Sequence, residues 1–210
     1  MIEKEAMWKL TYGLFVLTTK DQSGKDNGCI VNTVSMLTDE PKRITVYVNK
    51  ANYTEEVIRK TGVFNACVLT ESAPFSIFKQ FGFQSGRDTD KTSGKSYPRT
   101  ENGLIYIPEN VNAVISAKVV GIHDYGTHTL FVAEVTEAVK LSNEKSVTYE
   151  YYLSNIKPKP TAQPAEKPSE TAQNEKWVCK ICGYEHEGPL PDDFICPWCK
   201  HPASDFERVS

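Results

Sequence analysis

The chain lacks any run of about 18 apolar residues, which excludes a membrane-spanning helix. Its amino end, MIEKEAMWKL, carries acidic residues and no apolar stretch of the secretory kind, so the sequence predicts a cytoplasmic protein. Basic charge is not in excess: 24 Lys and Arg stand against 27 Asp and Glu. Without a basic stripe, nucleic acid drops out as a partner. The chain also lacks a G-x-G-x-x-G fingerprint and any alternation of strand and helix of the βαβ kind. Apart from one repeated cysteine spacing, it contains no internal repeat.

That repeat is the most specific signal present. Cys179 and Cys182 stand two residues apart, and Cys196 and Cys199 repeat the spacing. A C-x-x-C loop lets both sulfurs point at one ion, and two such loops close a tetrahedral shell of four thiolates suited to zinc or to a single iron. Trp177, Tyr184, Phe194, Trp198 and Phe206 supply so short a module with an aromatic packing cluster. The blocks Cys179-Lys180-Ile181-Cys182-Gly183-Tyr184 and Cys196-Pro197-Trp198-Cys199 resemble the two knuckles of rubredoxins, with the short spacing of the rubredoxin modules of rubrerythrins. The resemblance implies one redox-active iron; a structural zinc ribbon would use the same ligands. Lys200 departs from the pattern, which has glycine after the second knuckle to permit positive φ. The remaining cysteines, Cys29 and Cys67, stand alone in strand-like apolar runs and read as buried small hydrophobes.

Ahead of the knuckles the chain is mainly β. GLFVLTTK, GCIVNTVSML and RITVYVNK are rich in β-branched and aromatic residues, and the connection from Asp21 to Gly28 is polar. A meander is the economical arrangement. The stretch from Asn52 to Thr61 changes to helical period, with Asn52 as N-cap, Glu55 as its capping-box partner and Gly62 as the stop. Val63 to Leu69 returns to strand, and Ser72-Ala73-Pro74 opens a second helix bearing Phe75, Phe78 and Phe81 on one face. After a long polar loop, a short strand is predicted over Leu104 to Ile107. Two long strands follow, Ala113 to His123 and Thr127 to Leu141, joined at Asp124-Tyr125-Gly126. A short helix near Tyr149 to Leu153 closes the domain. The fold class is thus mainly β, an antiparallel split barrel with flanking helices, plus a small rubredoxin-like metal-binding domain. The domains are residues 1–157, a proline-rich linker at 158–175, and 176–210. The linker has four prolines and little to bury; as a coil it would span about 25 Å, and about 55 Å if drawn into polyproline helix. Charge divides as 18 basic against 18 acidic residues up to Lys157 and 6 against 9 after it. An acidic carboxy-terminal module can steer toward a basic docking patch, or simply aid solubility.

The blocks NGCIVNTVSMLT, NKANYTEEVIRKTGVFN, FGFQSGRD and GTHTLFVAEV resemble, in that order, the flavin reductase-like family of FMN-binding split barrels, particularly members fused to rubredoxin in anaerobic bacteria. The likeness covers nearly all of residues 5–155. In NKANYT, a capped helix N-terminus offers free amides and the positive end of its dipole, with Lys50, Asn52, Tyr53 and Thr54 adding a charge and donors. This is a phosphate seat, or by itself a helix cap with a solvated lysine. Asn32, Thr33, Val34 and Ser35 lie where backbone groups can read the polar rim of an isoalloxazine ring, or are ordinary strand residues. Ser85, Gly86 and Arg87 form a loop whose guanidinium suits the flavin phosphate or the charge of reduced flavin, with Lys91 assisting. The family places a histidine matching His128 beside flavin and nicotinamide, where it would position the hydride donor; a lone histidine at a strand start is otherwise structural. Ala133 stands where the family commonly has glycine. Tyr151 and Tyr152 cover either the ring or a dimer seam.

The resemblance implies an electron-transfer oxidoreductase. It takes a hydride from NADH or NADPH onto FMN and releases electrons singly to an iron held by Cys179, Cys182, Cys196 and Cys199. From there they reach a protein acceptor, a flavodiiron oxygen or nitric oxide reductase. It also implies a homodimer. Two other readings stay open: a flavin reductase whose zinc ribbon serves docking, and a non-enzymatic carrier charged by another reductase.

Overall fold

A computed structural model describes residues 3–7, 9–158, 175–179, 184–196 and 202–209. The chain divides into two compact units, Met1–Lys157 and Pro158–Ser210. Among the described residues no helix is long and apolar enough to cross a membrane.

In the larger unit, seven strands form one antiparallel sheet: β1 Phe15–Lys20, β2 Asp26–Val31, β3 Val34–Thr38, β4 Arg43–Asn49, β5 Val63–Leu69, β6 Val111–Tyr125 and β7 His128–Lys140. Their order is β2-β1-β5-β6-β7-β4-β3. The sequence predicts a single strand over residues 28–37, but Asn32 and Thr33 break it, and its halves lie at opposite edges of the sheet. The reason is pairing: β2 is registered against β1 (Val31 opposite Phe15), whereas β3 is registered against β4 (Val34 opposite Val46). Only two residues separate Val31 from Val34, so the edges approach within about 11 Å. The sheet therefore curls into a barrel joined at this corner. Among the described residues no ladder seals β2 to β3, which makes it a split barrel. Thr33 fastens the corner by donating its hydroxyl to the Tyr47 carbonyl at 2.7 Å.

Inside, alternate residues of the strands supply the filling. Leu17, Val46, Val48, Phe64 and Phe131 are fully buried in one cluster, and Val16, Cys67, Leu69, Phe78 and Phe81 in another. Helix α1 (Lys4–Met7) precedes the barrel. Helix α2 (Tyr53–Thr61) starts at its predicted cap, where Asn52 accepts from the Thr54 amide, and stops at Gly62 in the left-handed region, φ 72°. The capping box does not form, because Glu55 directs its carboxylate to Arg59 and to Thr129 on β7. Helix α3 (Phe75–Gly82) sends Phe78 and Phe81 into the core, while Phe75 packs edge-on against Phe83 at 5.7 Å. Residues 104–107 make no strand. Their apolar side chains are buried, but their carbonyls go to Thr18 and Asn65 rather than to a ladder, apart from one bridge between Arg99 and Ile105. Helix α4 (Tyr149–Tyr151) runs on as a π-helical turn through Ile156, and Tyr152 packs on Phe78 at 4.4 Å, which makes it a core residue.

The smaller unit holds three antiparallel strands, β8 Lys176–Cys179, β9 Glu185–Glu187 and β10 Phe206–Arg208, with β8 in the middle.

Candidate functional site

Strand register brings the barrel candidates toward one region. Ser35 faces Thr45, and Asn49 faces His128. Thr45, Tyr47 and Asn49 alternate along β4, so all five side chains leave the same face of the sheet. Ser35 and His128 flank β4 on opposite sides, offset by about 13 Å along it and about 10 Å across it, and so stand about 16 Å apart on that face. Val34 points to the other face and packs against the core. Because β3 is an edge strand, one row of its backbone groups has no strand partner among the described residues. That open row is what the polar rim of a ring needs, and it starts at the Asn32–Thr33 corner.

After Asn49 the chain turns into α2. The Asn52 amide donates to the Asn49 carbonyl at 2.9 Å, and the Lys50 amide donates to the Thr127 carbonyl at 3.0 Å, stitching the turn to the start of the His128 strand. The Lys50 ammonium pairs with Asp124 on the β6–β7 hairpin. His128 is half-buried, with Nδ1 2.9 Å from the Thr127 hydroxyl.

The loop at residues 85–87 packs on the amino end of α2. Arg87 places its guanidinium 5.0 Å from the Tyr53 ring centroid and bonds Glu56 at 2.7 Å. The Ser85 hydroxyl accepts from the Arg87 amide at 3.2 Å. Gly86 fits because a Cβ there would lie 2.1 Å from Asn27 Oδ1. Asn27, in turn, donates to the Thr54 hydroxyl at 2.9 Å, so one buried amide joins β2, the loop and α2. Lys91 is bonded elsewhere: its buried ammonium donates to the carbonyls of Gly28 at 2.9 Å and Phe81 at 3.1 Å, and burial holds its pKa below the usual lysine range. Ala133 is fully buried in the core.

The charges follow from these contacts. Hydrogen bonds from Lys60 and then Arg87 hold the Glu56 carboxyl below its ordinary value, and the Lys50 bond does the same for Asp124. Burial and the neighbouring Asp21 carboxylate raise Tyr53, whose hydroxyl donates to Asp21 at 3.3 Å. A cavity of about 200 Å³ beside Tyr53 is lined by Asp21, Glu56 and Lys60, a net negative set unsuited to phosphate. The donors suited to an anion are Lys50, Arg87, the Ser85 hydroxyl and the Tyr53 amide at the start of α2, since the Thr54 and Glu55 amides are bonded to Asn52. With the open β3 edge, these are the groups on this side of the barrel able to meet an anion and a polar ring rim. Asn27, Glu56, Asp124 and the Glu55–Arg59–Thr129 group escaped sequence reasoning. Asn27 sits in a stretch that reads as a turn, and the others act through partners far away in the chain.

In the smaller unit, Cys179 is 1% and Cys196 0% exposed. Cys182 and Cys199, with Trp198 and Lys200, lie outside the described residues. Backbone pairing is present beside both described cysteines. The Cys179 amide donates to the Tyr184 carbonyl at 2.8 Å, and Ile195 bridges to Pro202. Phe194 packs on Phe206 at 5.4 Å and on His186 at 4.6 Å, with Tyr184 alongside. Cys179 and Cys196 are buried thiols in a unit whose described core is otherwise aromatic, and such thiols suit a thiolate-bound metal.

Comparison with known proteins follows the same division. The flavin reductase like domain matches residues 7–158, and the rubredoxin-like domain of rubrerythrin matches residues 177–207. The high molecular weight rubredoxin of Moorella thermoacetica is 33% identical over 230 residues, covering 99% of this chain and 100% of that one. The ferric-chelate reductase (NAD(P)H) of Archaeoglobus fulgidus is 37% identical over 153 residues, 72% of this chain and 90% of that one. Among solved structures, an NADH:FAD oxidoreductase of Streptomyces globisporus superposes with a TM-score of 0.62 at 16% identity, over 68% of this chain and 83% of that one, a likeness of fold.

Proposed function

The chain belongs to the flavin reductase-like family and ends in a rubredoxin-like, iron-binding domain. On that premise we propose that it is an electron-transfer oxidoreductase, which draws a hydride from NADH or NADPH and delivers single electrons through FMN and the tail iron to a protein acceptor. A flavodiiron oxygen or nitric oxide reductase is the acceptor proposed. Flavin, when bound, supplies the conversion between a two-electron donor and a one-electron iron.

The chain's own residues hold and orient the groups. Lys50, Arg87 and the Ser85 hydroxyl, with the Tyr53 amide at the start of α2, take the phosphate; the Tyr53 and Thr54 side chains fix that helix end to Asp21 and Asn27. Gly86 lets the loop close on Asn27, and Lys91 anchors the following segment to two carbonyls. Backbone groups from Asn32 to Ser35 meet the ring rim along the open β3 edge. His128, on the same sheet face as Ser35, positions the nicotinamide. Cys179, Cys182, Cys196 and Cys199 are the iron ligands. Residues 158–175 tether this module to the barrel, and the composition of that stretch supports a reach of tens of ångströms. Two copies pair as a homodimer in the cytoplasm.

The observation that carries this reading is that one chain joins a barrel, with Lys50 and Arg87 at the start of α2 and an open β3 edge, to a module with buried thiols. Anaerobic titration with NADH and with NADPH, followed at the flavin and iron bands, tests it. In the full chain both sets of bands bleach; with residues 158–210 removed, only flavin bleaches. Iron bands that stay oxidised while flavin is reduced would refute the relay.

A further inference from the structure

Both cations assigned to the phosphate stand beside a carboxylate. Arg87 Nη2 is 2.7 Å from one oxygen of Glu56, and Lys60 is 2.7 Å from the other. Lys50 is paired with Asp124, whose second oxygen accepts from the Gly126 amide at 2.8 Å and caps the hairpin. Glu56 also lies in the first turn of α2, where a carboxylate offsets the positive end of the helix dipole that an incoming anion would use. Glu55 in the same turn plays no such part, since its carboxylate is buried against Arg59 and Thr129.

Solvent reaches both pairs: the side chains are 49% and 33% exposed for Arg87 and Glu56, and 38% and 57% for Lys50 and Asp124. Each pair is therefore weak, and a phosphate monoester carrying about −1.5 to −2 charge outcompetes either carboxylate for its cation. The displaced carboxylate stays close by and subtracts from the attraction. We propose that Glu56 and Asp124 are counter-charges that set the affinity of the site for the flavin 5′-phosphate, keeping Lys50 and Arg87 in place while leaving the nucleotide exchangeable. The inference rests on the phosphate-seat reading above.

Glu56→Gln and Asp124→Asn remove charge and retain an oxygen to accept from Arg87 or from the Gly126 amide. The test measures dissociation constants of FMN and of riboflavin, which lacks the phosphate, by fluorescence quenching on the flavin-free full chain. Each variant tightens FMN about threefold and the double variant about tenfold, with riboflavin unchanged. FMN binding that is unchanged or weakened, or a gain shared equally by riboflavin, overturns the proposal. Lys50→Met and Arg87→Met separate this failure from failure of the seat. If they leave the ratio of FMN to riboflavin affinity unmoved, the phosphate is not held here and both readings fall. If they lower the ratio while Glu56→Gln and Asp124→Asn do not raise it, only the counter-charge assignment falls.

Discussion

Cys29 and Cys67 in the barrel are 1% and 0% exposed, and Cys179 and Cys196 in the tail are 1% and 0% exposed, so depth of burial does not separate the two pairs. Their surroundings do. Cys67 lies among Val16, Leu69, Phe78 and Val114, and burial pushes its thiol up to about 12. Such a sulfur is a small hydrophobe in a core that needs nothing from it chemically. Cys179 and Cys196 sit in a unit whose described apolar core beyond them amounts to little more than Phe206 and its neighbouring rings. A module that short lacks the apolar area to fold unaided, and metal bonds supply what the core does not.

The largest expected effect follows from that contrast. Cys196→Ser removes one of the four proposed ligands, so the tail should lose its metal and with it the amide protection of Trp177, Val178 and Glu207. The barrel's thermal transition and its flavin affinity should stay as they were. Hydrogen exchange and the visible spectrum read both halves at once, and a tail that keeps its protection would show that the aromatic cluster suffices. The converse change is next in size. Phe64 is fully buried between β5 and its neighbours, and Phe64→Ala should cost the barrel about 3 to 5 kcal/mol in urea unfolding. The iron bands of the tail should be untouched until far higher denaturant.

The two regions also differ in how much of them shows in the sequence. The tail's four proposed ligands stand out in the sequence because spacing alone nominates them: a C-x-x-C loop is a local device. In the barrel, local signals served equally well where the chain ends an element by itself, as with the Asn52 cap, the Gly62 stop and the hairpin at Asp124 to Gly126. They failed where a distant partner decides. Asn32 is the strongest turn-favouring residue in the interior of residues 28–37, too weak a signal by itself to split the run, and the competition between β1 and β4 for its two halves places a corner at Asn32 and Thr33. Glu55 has the position of a capping-box residue, but Thr129 lies 74 positions away and draws its carboxylate elsewhere. Lys91 reads as a surface cation in a polar loop, and the fold buries it on the Gly28 and Phe81 carbonyls.

That Glu55 group gives the third test, because it ties the helix bearing the proposed phosphate seat to the strand bearing His128. Its Oε1 accepts from Arg59 Nε at 3.1 Å and from Thr129, and the Arg59 guanidinium also donates to Thr129 at 2.8 Å. The glutamate is 7% exposed at its side chain but Arg59 is 40%, so water takes over part of what is lost. Glu55→Gln should lower barrel stability by about 1 to 2 kcal/mol in urea unfolding, with Lys60→Gln on the exposed side of the helix changing little. Equal effects from the two would mean the buried tie is no stronger than the surface pair.

The smallest expected effect returns to the thiols. The Cys67 pKa is raised from 9.0 to about 12 by burial, with only a bond to the Ile107 backbone opposing it. The folded barrel therefore keeps this thiol protonated where the unfolded chain has begun to ionise it. A group raised in the fold contributes stability that is whole below the unfolded value and is lost as pH climbs toward the folded one. Barrel stability should accordingly decline between about pH 9 and pH 12. Cys29, also raised by burial, adds to the same decline. Cys67→Ala lowers stability at every pH by leaving a small cavity, so the informative quantity is the slope. Urea midpoints compared below and above pH 9 should fall less steeply in Cys67→Ala than in the parent chain. If the slopes match, the barrel thiol ionises as readily folded as unfolded, and its burial is not what distinguishes it from the cysteines of the tail.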